Sequence, residues 1–160
     1  MNRFRHIVLS LPLLLAGTLG VVRAERVPDY ANDLGPATID VSNYPADLQQ
    51  GYKLMAAKCM RCHTVARVVN SEIVNAKDWA RYMNRMSLRP PCCNQCPVIT
   101  RYDAKAIYQF LVYDSTIRKT GVRSASWEAF RKQLLNDYQQ KYPKPYAQRY
   151  MKTTPRKDQP

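Results

Sequence analysis

A chain of 160 residues, with 25 Lys and Arg against 12 Asp and Glu for a formal charge of +13, has room for one modest core plus flanking segments and little for a second. That balance suits an acidic protein partner, an anionic membrane surface or nonspecific polyanion binding. The two histidines and five cysteines narrow the chemistry further.

The N-terminus runs basic, then apolar: Arg3 and Arg5 precede 16 mostly apolar residues from Ile7 to Val22. This order, with Val22 and Ala24 ahead of the charged Glu25, predicts a secretory signal over residues 1–24 and an exported, bacterial periplasmic product. An uncleaved anchor is the alternative, but a run broken by Pro12, Gly17 and Gly20 is short against the roughly 20 residues of a bilayer span. Cleavage removes Arg3, Arg5 and Arg23, which takes the charge from +13 to +10. It also removes His6, leaving His63 as the one histidine of the mature chain. Export argues against nucleic acid as a partner.

Residues 25–44 hold Pro28, Asn32, Gly35 and Pro36 without periodicity and read as an irregular lead-in. From Pro45, the spacing of Leu48, Tyr52, Met55 and Cys59 predicts a first helix. Ser71 is a candidate cap for a second, with Glu72 in its first turn, an inward stripe of Ile73, Ala76, Ala80, Met83 and Met86, and a stop at Pro90 and Pro91. Thr100 and Asp103 resemble a capping box opening a third helix, whose Ala104, Ile107, Phe110, Leu111 and Tyr113 face a core. Ser126 is a candidate cap for a basic fourth helix within residues 121–142, carrying the apolar stripe Trp127, Phe130, Leu134 and Tyr138. This stripe is a candidate surface for gripping a partner. Residues 143–160 read as a disordered basic tail. The predicted fold class is all-α.

Cys59-Met60-Arg61-Cys62-His63 is C-x-x-C-H, the attachment signature of a c-type haem. Two thiols at this spacing reach the two vinyl groups on one edge of a porphyrin, and the next residue falls beneath the iron. Cys59 and Cys62 are thus the expected thioether donors to one covalent haem c, and His63 its proximal ligand. A thioredoxin-like C-x-x-C would need a βαβ setting that this helical pattern lacks. A zinc site from Cys59, Cys62, Cys93 and Cys96 would span 30 intervening residues, more than the usual ~15–20, and would need reduced thiolates in an oxidising compartment.

From about Pro45 to Asp114 the sequence resembles a class I cytochrome c. In that family a glycine on the N-terminal helix crosses closely over a large residue of the C-terminal helix; Gly51 with Tyr108, Phe110 or Leu111 fits. Asp78-Trp79, Arg85-Met86, Ile99-Thr100, Ile107 and Phe110-Leu111 are similar to a pattern of bacterial single-haem members whose methionine is the distal ligand, which implies Met86. The resemblance implies a small helical domain over residues 45–120, wrapped around one haem, with the later helix and tail as additions. The chain departs from the family at Val65, where Pro or Gly often stands, and over Pro90 to Pro97, which looks like an insertion.

With one mature histidine, bis-histidine ligation is excluded within the chain; Met, Lys, Tyr, Cys or an open distal site remain. Met60 is tied inside the attachment loop, Met151 lies in the tail, and Met55 lies on the proximal side. Trp79, Met83 and Met86 share a helical face, so both methionines could be ordinary core residues. Position near a helix end, together with the resemblance, favours Met86. Cys92, Cys93 and Cys96 are an odd set: Cys92 or Cys93 could bridge Cys96, and one thiol is left over.

The expectation is a one-electron carrier rather than an enzyme, cycling Fe(II)/Fe(III) and docking through its basic surface on an acidic redox protein or a membrane-bound redox complex. A haem subunit of a larger oxidoreductase is the alternative, and an open-site sensor or peroxidase a third reading.

Overall fold

The computed structural model describes residues 27–88 and 98–151. Six α-helices are present there: α1 (Ala46–Cys59), α2 (Val65–Val69), α3 (Ala76–Ser87), α4 (Arg101–Lys119), α5 (Ser124–Lys141) and α6 (Pro143–Tyr150). Single 3-10 turns stand at Ala31–Leu34 and Gly121–Arg123, and no strand occurs among the described residues. The all-α class is therefore as expected. No described helix is long and apolar enough to cross a membrane. The expected signal segment and the cysteines at 92, 93 and 96 lie outside the described residues.

The most extensive packing joins α1 to α4. Gly51 makes it possible: a Cβ there would stand 2.6 Å from the Ala106 carbonyl oxygen and 2.9 Å from Phe110 Cβ. Of the three candidate partners for Gly51, Phe110 is the one it meets. Below this contact Met55, Trp79, Met83, Ile107, Phe110 and Leu111 form the main core with Val68 and Val69 of α2. α4 opens with the expected capping box: Thr100 Oγ1 accepts the Asp103 amide at 3.1 Å, and Asp103 Oδ2 accepts the Thr100 amide at 2.9 Å.

α3 starts four residues beyond the expected Glu72. Its cap is Asn75, whose side-chain oxygen accepts the Asp78 amide at 2.8 Å, while Ser71 is left in the preceding loop with its hydroxyl buried and without a partner. Ala76 and Ala80 face outward, and the buried residues of α3 are Trp79 and Met83. Trp79 sets that register, because its Nε1 donates to Ser115 Oγ of α4 at 2.8 Å. Asn75→Ala should cost about 1 kcal/mol, read from urea unfolding, whereas Ser71→Ala should cost nothing as a lost cap. Equal costs would contradict the Asn75 cap.

The C-terminal part corrects two further expectations. α5 begins at Ser124, after a turn in which Gly121 takes φ +61°, so Ser126 lies inside the helix rather than at its cap. Residues 143–150, expected to be disordered, form α6. Pro143 and Pro145 occupy its first turn, where amide donors have no intrahelical partner, and Tyr146 stacks on Tyr150 at 5.3 Å. Residues 152–160 lie outside the described residues.

The apolar stripe of α5 is covered in large part by this chain itself, with Phe130 left half-buried. Trp127, Leu134 and Tyr138 are buried, α5 packs along the 3-10 turn of the lead-in, and Tyr138 donates its hydroxyl to the Pro28 carbonyl at 2.8 Å.

Candidate functional site

α1 ends on Cys59, and the chain turns at once. The Cys62 and His63 amides both donate back to the Cys59 carbonyl, at 3.2 and 3.3 Å, so the three motif residues sit on one tight turn. The end of α1 is pinned by Lys58, which pairs with Asp103 at 3.1 Å and donates to the Val98 carbonyl at 2.9 Å.

Cys59 is a free, half-buried thiol packed against the core, and burial pushes its pKa up to about 11, keeping it protonated. Cys62 is held in a disulfide. A disulfide sulfur has no free thiol to bond a cofactor, so Cys62 becomes competent only on reduction.

His63 is half-buried, and burial holds its imidazole below the ordinary value, on the side of the neutral, metal-ligating form. Nδ1 lies 3.1 Å from the Thr64 carbonyl oxygen. A carbonyl only accepts, so Nδ1 carries the proton and the lone pair is left on Nε2.

Directly after His63, Thr64 caps α2, its Oγ1 accepting the Arg67 amide at 3.0 Å. The Thr64 hydroxyl also donates to Asp33 Oδ1 across the chain. Arg67 closes on the same carboxylate with three contacts of 2.8 to 3.2 Å and reaches Asp29 at 2.7 Å. Burial alone would push Asp33 upward, but the donors from Arg67, Thr64 and the Tyr30 amide outweigh it and hold the carboxyl below its usual value.

Of the two methionines weighed as distal ligand, Met83 belongs to the core and Met86 stands half-buried in the last turn of α3. α3 passes close to the motif: the Tyr82 phenol is raised by burial and by the neighbouring Cys59. A shallow depression lined by Pro36, Ile39, Asn70, Arg118, Trp127 and Phe130 includes none of the motif residues.

The residues present fit a covalently held haem on the proximal side: a free thiol at Cys59, a second at Cys62 once reduced, and an imidazole with Nε2 available. Among the described residues no group of three or more His, Cys, Asp and Glu could hold a bare metal ion, a condition that single-histidine haem attachment does not require. What sequence reasoning missed is the support behind His63. Asp33 stands 34 residues from Arg67 in a segment without periodicity, and the one signal that could have pointed to it is Thr64, a capping residue type directly after the motif. Compared with family models, curated proteins and solved structures, the chain finds no match in any of the three.

Proposed function

We propose that this chain is an exported c-type cytochrome of the class I kind, a one-electron carrier holding a single haem through Cys59 and Cys62 with His63 as proximal ligand. The observation that carries the reading is the C-x-x-C-H turn at the end of α1, on a helix that packs against α4 across Gly51. When bound, the haem supplies the Fe(II)/Fe(III) couple that takes up and returns one electron. The chain's part is to hold and tune. Cys59 and Cys62 would hold the cofactor covalently, and the Thr64 carbonyl keeps the proton on His63 Nδ1, which would leave the Nε2 lone pair to ligate the iron. Met86 is the proposed distal ligand; a thioether there would leave no open position for small molecules and would favour electron transfer over ligand chemistry. The basic surface would guide docking on an acidic redox protein or a membrane-bound complex.

The test is covalent attachment. The mature protein, purified from a bacterial periplasm that attaches haem, should stain for haem on a denaturing gel, and the Cys59→Ala, Cys62→Ala double variant should not. A stained double variant, or an unstained wild type, overturns the reading. Reduced protein should leave carbon monoxide unbound at neutral pH; prompt binding would remove Met86 and turn the function toward gas sensing or peroxidase chemistry. Three of the four stripe residues of α5, Trp127, Leu134 and Tyr138, are buried within this chain, which supports the carrier over the subunit reading.

A further inference from the structure

Resting on that reading, we propose that Asp33 is a positioning residue for the His63 imidazole, acting through the Thr64 hydroxyl on the carbonyl that holds Nδ1. Three linked contacts carry this. His63 Nδ1 meets the Thr64 carbonyl at 3.1 Å, the Thr64 hydroxyl donates to Asp33 Oδ1, and the Arg67 fork holds the same carboxylate through both oxygens, at 3.1 Å to Oδ1 and 2.8 Å to Oδ2. The Asp33 side chain is 2% exposed, so water does not compete for it.

The lead-in is fixed well enough to serve as a support. Asn32 Nδ2 donates to the Arg67 carbonyl at 2.8 Å, and Asn70 Nδ2 donates to the Pro36 carbonyl at 3.0 Å. From the other end of the chain, Tyr150 of α6 accepts the Ala31 amide at 3.0 Å, and Arg149 donates to the Asp29 carbonyl at 2.8 Å. Two guanidinium groups lie over the Tyr30 ring, Arg67 at 4.8 Å and Arg149 at 4.2 Å. The C-terminal extension thus braces the segment that holds the loop behind His63.

Because Arg67 neutralises Asp33, the carboxylate acts on His63 chiefly through geometry. A firm Nδ1–H bond makes the ring a stronger donor at Nε2 and favours the oxidised metal. Freeing the Thr64 loop weakens that bond and raises the reduction potential.

The experiment uses the haem-loaded protein with Asp33→Asn, Thr64→Val and Thr64→Ser. Thr64→Val leaves the Asp33–Arg67 pair intact and so covers the case in which Asp33→Asn fails to fold. Asp33→Asn and Thr64→Val should keep the covalent haem stain, shift the potential upward and move the hyperfine-shifted ring resonances of His63. Thr64→Ser, which keeps the hydroxyl, should return both to wild-type values. Asp114→Asn, which removes an equally buried carboxylate from the Arg118 pair on α4, should lower stability without moving the potential. Unchanged potential and resonances in a stained Thr64→Val protein overturn this proposal alone, as does an equal shift in Asp114→Asn. A wild type without covalent haem overturns the parent reading and this one with it.

Discussion

Gly51→Val should leave little folded protein at neutral pH, and Gly51→Ala should already cost about 2–3 kcal/mol in urea unfolding, in the range seen when a packed interface is overfilled. The direction is opposite to the usual one. Replacing a mid-helix glycine by alanine ordinarily favours the helix by roughly 0.5–1 kcal/mol. Here the added Cβ would stand 2.6 Å from a backbone oxygen of α4, at Ala106, and 2.9 Å from Phe110 Cβ. Neither atom is the end of a flexible side chain, so α1 and α4 must separate. Separation opens the contact among Met55, Ile107 and Phe110, each fully buried. Valine adds two methyl groups to the same clash, and a loss on the order of 4 kcal/mol or more consumes much of a small domain's total stability of about 5–15 kcal/mol. A Gly51→Ala midpoint at or above that of the wild type would show that the helices have room to give.

The features legible in the sequence are the local ones. The Thr100–Asp103 box and the helix running into Cys59 each depend on residues within one or two turns, and each is present. The α1–α4 approach at Gly51 is long-range and came from resemblance, not periodicity. Where two signals of equal local strength compete, the sequence alone misleads. Ser71 and Asn75 are both good caps, and what selects Asn75 is tertiary: the Ser71 carbonyl is taken by Lys119, and the α3 register that buries Trp79 starts the helix later. The end of the chain misled for another reason. Its prolines and charges suggested a tail, yet Tyr138, Tyr142, Tyr146 and Tyr150 recur every fourth residue, a stripe visible only when the prolines are read as a first turn. The Asp33–Arg67 pair has no local pattern at all, because its geometry exists only after the lead-in folds back over α2.

Lys119 should make this protein more stable as pH rises from about 7 toward 10. Its side chain is buried at the end of α4, with Nζ 3.1 Å from the Ser71 carbonyl and 3.2 Å from that of Ile73, and it lies over the rings of Trp79 and Trp127 at 5.2 and 5.1 Å. The nearby carboxylate, Asp114, is committed elsewhere: it takes two bonds of 2.7 Å from Arg118 and one of 3.1 Å from Tyr44. Burial therefore pushes the ammonium down to about 7 from 10.5; Asp114 opposes this, while Arg118 and Arg131 add to it. Between those two values the unfolded chain holds a proton that the folded chain has released, so each pH unit favours the folded state by up to about 1.4 kcal/mol. The two carbonyl contacts and the indole faces favour the charged form, which reduces the expected gain to about 2–3 kcal/mol across the window. Below pH 7 both states carry the proton and the slope from this group vanishes. Lys119→Met fills a similar volume without a titrating group and should flatten the rise. Urea unfolding of wild type and variant at about pH 6, 8 and 10 separates the two, and parallel curves would mean that Lys119 keeps its charge in the fold.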